Sequence, residues 1–136
     1  TEEIKTKMGE LFWGGCCDDN ATLETIQKYF SEYGYLCDTH TAVALNVYEQ
    51  YIKATGDDIP TVIASTASPY KFANSVLSAV SDKKAESEFD TVRLLASETS
   101  TEIPAPIKQL ETATVRFKEI CEKDDMLSAV YSALNI

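Results

Sequence analysis

Basic residues are scarce in this 136-residue chain, with 12 lysines and arginines against 22 aspartates and glutamates and a net charge of −10. That balance disfavours nucleic acid or an anionic membrane surface as the general partner, because both attract excess positive charge. A small anionic substrate stays open, since a few local N–H groups and cations suffice to hold one. No apolar run approaches the ~20 residues needed to span a bilayer. The charged start Thr1-Glu2-Glu3-Ile4-Lys5 lacks the apolar centre of a secretory signal, so we expect a cytoplasmic protein. An initiator methionine is also missing, and we expect a processed piece or a fragment.

Cysteine is limited to Cys16, Cys17, Cys37 and Cys121, which match no zinc-site spacing and read as reduced thiols. No metal site is expected. The few glycines build no phosphate-cradling loop, because Gly14-Gly15 runs into cysteines and acids and neither GxGxxG nor a Walker pattern occurs. His40 is the only histidine, and one histidine among many serines specifies no Ser-His-Asp arrangement. The acidic pairs Asp18-Asp19, Asp57-Asp58 and Asp124-Asp125 lie beside predicted helix ends and read as solvated caps.

What is present is enough for one domain with a core. Residues 1–20 form a leading segment without clean periodicity. Leu23, Ile26, Tyr29, Phe30 and Tyr33 then recur at helical spacing, with Asn20 or Thr22 as cap and Gly34 at the end. Tyr35-Leu36-Cys37 reads as a short strand. A second helix follows through Val43, Ala44, Val47, Tyr48, Tyr51 and Ile52, capped by Asp38 or Thr39 and ended by Gly56. Thr61 to Thr66 is β-branched and reads as a buried strand, after which Ser68 and Pro69 open another helix.

Residues 21–80 thus hold two strand–loop–helix units, and residues 81–136 form C-terminal helices. In that last part Phe89, Val92 and Ala96 mark a helical face with Leu95 on its flank, and Val115 and Phe117 suggest an edge strand. Asp124 is expected to cap the last helix. The fold class expected is α/β: a helix-rich fragment whose two or three short parallel strands complete a larger sheet elsewhere.

Two polar turns at predicted strand ends stand out, because ligands of open α/β sheets sit outside the carboxyl ends of strands. One is Asp38-Thr39-His40-Thr41 and the other Ser65-Thr66-Ala67-Ser68. His40 could donate to an anion or move a proton, and a helix N-terminus favours a neutral imidazole. Equally, all of these residues could be turn and capping residues.

The residues Gly34-Tyr35-Leu36-Cys37-Asp38-Thr39-His40-Thr41-Ala42-Val43-Ala44 closely resemble a segment of the threonine synthase family. Thr61 to Phe72, with its Ser-Thr-Ala-Ser-Pro centre, resembles a second late motif of that family, in matching order and separation. Weaker similarity covers Asp18 to Ile26, Ile103-Pro104 and Val115-Arg116.

The resemblance implies a pyridoxal 5'-phosphate enzyme of the tryptophan-synthase-β-like fold (fold type II). This is a carbon–oxygen lyase that converts O-phospho-L-homoserine and water into L-threonine and phosphate. The family's Schiff-base lysine, in a motif like HGPT-x-x-FKD, lies in an N-terminal half, and neither it nor the phosphate-cradling loop is in this sequence. The chain would then be one C-terminal segment, residues 1–136, partnered by the N-terminal portion of the same enzyme and inactive alone. No catalytic residue is assigned within it.

By the same resemblance Thr66 faces the cofactor's pyridine nitrogen, with Ser65 as the second candidate. His40, Thr39 and Ser68 are substrate or pocket residues, and Lys71 is structural. A sister phospholyase on the same fold and a non-catalytic α/β interaction domain are the alternatives.

Overall fold

The computed structural model describes residues 1–136. Its regular elements are seven α-helices: α1 (Glu2–Gly9), α2 (Asp19–Tyr33), α3 (Thr39–Thr55), α4 (Ala73–Val80), α5 (Glu88–Thr99), α6 (Ala105–Leu110) and α7 (Met126–Leu134). Short 3-10 turns at Pro69–Phe72 and Lys123–Asp125 lead into α4 and α7.

The two longest helices are delimited by side chains visible in the sequence. Asp18 caps α2 by accepting from the Ala21 amide, upstream of the expected Asn20 or Thr22. Asp38 caps α3. Gly34 and Gly56 end them at φ +66° and +70°, a left-handed backbone that a side chain would strain.

Helix α2 packs on α3 and α4, and α4 packs on α5. Between them lies a core that includes Ile26, Leu45, Val76, Leu77, Val92 and Leu95. Leu95 is fully buried, so it is central to the inward face of α5 rather than on its flank. At the surface, Lys28 Nζ and Tyr29 Oη both donate to Glu49 Oε1, at 2.7 and 2.9 Å, and pin α2 to α3. Burial, and then the bond to Glu49, push the Tyr29 phenol up to about 12.

The expected strands are not there, and this corrects the α/β assignment. The structure contains helices and no sheet. The Tyr35 amide turns back to the Tyr29 carbonyl, Leu36 and Cys37 make no backbone hydrogen bond, and neither do residues 60–66 or 114–121. A β-branched run favours extended backbone, but a strand exists only when a neighbour takes its N–H and C=O groups. Here the apolar side chains take a different course. Cys37 is buried in the helical core, Leu36 and Ile63 pack against it, and Val62 and Phe117 are exposed.

Residues 108–136 are exposed throughout, including every residue of α7. Asp124 does not cap α7; Asp125 occupies the N-cap position without a side-chain bond. The leading segment holds α1, an exposed helix carrying Lys5–Glu2 and Lys7–Glu3 ion pairs that contribute little in water. Beyond it, Trp13 meets the Tyr51 ring edge-on, at 5.6 Å between centroids. No helix is long and apolar enough to cross a membrane.

Candidate functional site

The two polar turns come together. The start of α3 and the turn before α4 are joined by two contacts. Thr41 Oγ1 lies 3.0 Å from Ser65 Oγ, and the His40 ring packs on Phe72 at 4.9 Å between centroids.

Asp38 is the centre of this junction and is fully buried. Its Oδ1 accepts from the amides of His40 at 2.8 Å and Thr41 at 3.3 Å, and its Oδ2 accepts from the Thr41 hydroxyl at 2.5 Å. Burial alone would raise the Asp38 carboxyl. The Thr41 hydroxyl and the backbone amides outweigh it, so the carboxyl titrates below the usual range and is ionised.

Five threonines are buried, and four of them behave alike. Thr22, Thr25, Thr91 and Thr99 donate back to the carbonyl four residues earlier in the chain. Thr41 differs, giving its hydroxyl to the Asp38 carboxylate and reaching Ser65 across the junction. Neither Asp38 as a buried anion nor Thr41 was singled out from the sequence. The Asp-x-x-Thr spacing at a helix start was the available signal, being an N-cap whose N3 side chain reaches back to it.

The other expected residues divide. Thr39 and His40 line a polar cleft of about 500 Å³ with Cys17, Thr22, Ser75 and Ser78. Thr39 Oγ1 is 3.3 Å from His40 Nδ1, which stands 3.5 Å from Asp38 Oδ1. Ser65 and Thr66 lie outside that cleft, both exposed. The Thr66 hydroxyl has no hydrogen-bond partner, whereas Ser68 accepts from the Tyr70 amide at 3.3 Å and caps the 3-10 turn. Lys71 is exposed, its Nζ over the Phe72 ring at 5.6 Å.

Cys37, next to Asp38, is buried among apolar side chains. Burial, then the negative charge of Asp38, raise its thiol to about 11. Iodoacetamide at neutral pH should therefore modify the exposed Cys16 and Cys121 and spare Cys37 until the chain is denatured. Peptide mass mapping checks this, and labelling of Cys37 in the folded chain as fast as Cys121 would contradict it.

Helices that bring two hydroxyl-bearing turns against one buried carboxylate make this a domain with a shaped polar junction. Residues 41–131 match the family model described as threonine synthase, C-terminal. The chain belongs to the threonine synthase family. The match takes in Thr41, Ser65, Thr66 and Ser68 and begins just after Asp38, Thr39 and His40. The family serves threonine biosynthesis and is one of pyridoxal-phosphate enzymes, and a C-terminal region implies an N-terminal portion of the same enzyme.

Proposed function

We propose that the chain is the C-terminal part, one segment over residues 1–136, of a cytoplasmic threonine synthase. That enzyme converts O-phospho-L-homoserine and water into L-threonine and phosphate, and this part is inactive without its N-terminal portion. The observation that carries the reading is the meeting of the two family-like motifs through Thr41 and Ser65.

The residues present fit a share of the cofactor's needs. Thr66 offers an exposed hydroxyl with no competing partner, and the small side chains of Ala64 and Ala67 flank the Ser65–Thr66 pair. Pyridoxal phosphate, when bound, supplies an electron sink for carbanionic charge. A neutral hydroxyl at its ring nitrogen moderates that sink, since it does not hold the nitrogen protonated as a carboxylate would. Thr66 is the first choice for this contact and Ser65 the second. Lys71 stays a structural residue.

His40 and Thr39 serve as pocket walls rather than phosphate ligands. The amides of His40 and Thr41 already donate to Asp38, whose negative charge opposes an anion at that helix start. Ser68 acts locally, as a cap.

Two measurements test the proposal on the full enzyme. With pyridoxal phosphate and O-phosphohomoserine, threonine and phosphate should appear in equal amounts; phosphate with a keto acid would instead indicate a sister phospholyase. Thr66→Ala should slow turnover by about fivefold, the effect of one hydrogen bond of ~1 kcal/mol, with the helical signal retained. Unchanged kinetics would remove Thr66 from the site.

A further inference from the structure

We propose that α7 is the element by which this region docks on the N-terminal portion of the same enzyme, enclosed in an apolar groove of that portion. This rests on the reading that such a portion precedes this region, and not on the contact assigned to Thr66.

Helix α7 contains no charged residue. Seven of its nine residues are apolar, Ser128 and Ser132 being the exceptions. At about 100° per residue the apolar positions sweep roughly 200° of the helix, twice the ~100° stripe of a helix that lies on a surface. A helix so largely apolar belongs inside a fold. Here it is bare: Met126, Leu127, Val130, Tyr131 and Leu134 are 48–64% exposed. Its one packing partner of any extent is the 3-10 turn at its own start. Nine residues are also fewer than the ~12–15 at which an isolated helix holds in water, so α7 depends on a cover. The stretch before it leaves Val115, Phe117 and Ile120 exposed as well, which extends the uncovered apolar surface toward α6.

Three covers present themselves, and size and shape select among them. The two apolar clefts of the domain, one beside Trp13 and one beside Phe89, hold about 560 and 410 Å³. A nine-residue helix, ~13 Å long and ~10 Å across, fills about 1,000 Å³, so neither cleft encloses it. A second copy of α7 laid alongside would cover one face and leave the rest of the arc in water. Enclosure on several sides needs a groove in another body. The family match runs to residue 131, so most of α7 belongs to the C-terminal pattern, and that pattern implies an N-terminal portion as the rest of the enzyme. Residues 111–122 between α6 and the 3-10 turn can carry α7 up to ~40 Å from α6, clear of the helical core.

The experiment uses the full enzyme carrying the photoreactive substitution Tyr131→p-benzoylphenylalanine. After irradiation, products are separated by mass under denaturing conditions and the joined peptides are identified. Cross-links should form at monomer mass, between position 131 and residues of the N-terminal portion. Their absence, or cross-links only to residues 1–125 or only at dimer mass, would overturn the proposal. Amide exchange over residues 126–134 of the unmodified full enzyme should be slow, and Val130→Asp should remove that protection while α2 to α5 keep theirs. Exchange as fast as in a free peptide would overturn the proposal, as would protection that Val130→Asp leaves untouched. Turnover of O-phosphohomoserine by the same preparation tests the underlying reading separately. Threonine formed by an enzyme whose α7 stays exposed would end this proposal alone.

Discussion

Asp38→Ala is expected to lower the stability of the fold by about 2–4 kcal/mol. Loss of an N-cap costs ~1 kcal/mol, and loss of the Thr41 hydrogen bond to a charged acceptor costs about 1.5–3 kcal/mol more. Asp38 supplies both, as the cap of α3 and the acceptor of the buried Thr41 hydroxyl. Asp38→Asn keeps a capping oxygen and a hydrogen-bonding group toward Thr41, so its cost should be well under half. Urea unfolding at neutral pH measures both. Equal losses for the two variants would mean that the charge, not the hydrogen bonding, is what the fold requires.

The same residue gives the stability a signed pH dependence. Its carboxyl titrates lower in the folded chain than its ordinary value of 3.8. The unfolded state thus binds the proton more readily, and acid favours unfolding. The contribution of Asp38 is complete above about pH 5 and is lost as pH falls below 3.8 and through the folded value. Asp38→Asn should flatten that part of the acid limb.

Leu95→Ala is expected to cost about 2–5 kcal/mol, the range for removing a fully buried leucine from a core. Leu95 has no exposed surface, while its neighbour Leu94 is half-buried at the edge of the same cluster. Leu94→Ala should cost less than half as much. Since a small domain has only about 5–15 kcal/mol in total, Leu95→Ala should visibly lower the urea midpoint. Similar losses at both positions would show that α5 does not present one inward face.

Several helix ends were legible because they depend on single side chains and local backbone, though the caps of α2 and α7 fell on Asp18 and Asp125 rather than on the expected residues. Asp38, Gly34, Gly56, Ser68 and Pro69 act within a few residues of themselves, and each stands where its chemistry indicated. The strands were misread for a non-local reason. Thr61 to Thr66 has the composition of a strand, but pairing depends on a neighbour that composition does not report, and none joins it here. Leu95 was misplaced because its face is chosen by where α4 lies, not by the spacing of Phe89, Val92 and Ala96.

The site divides along the same line. The two polar turns were visible as motifs, and their contact required the fold. Asp38 looked like any capping aspartate, because nothing in four residues of sequence tells that a cap will be buried. Thr41 looked like one more helical threonine until its hydroxyl was followed away from the helix to Ser65.

Trp13 is the only tryptophan in the chain, and its indole lies edge-on to Tyr51 of α3, at 44% exposure. The ultraviolet-excited emission of the chain therefore originates almost wholly in one ring outside the helical core. A change in its wavelength or intensity would report the stretch after α1 lifting from α3, and melting of the core would reach the signal only through that contact. The indole is in effect a local fluorophore already attached to the leading segment, with its energy-transfer partner 5.6 Å away.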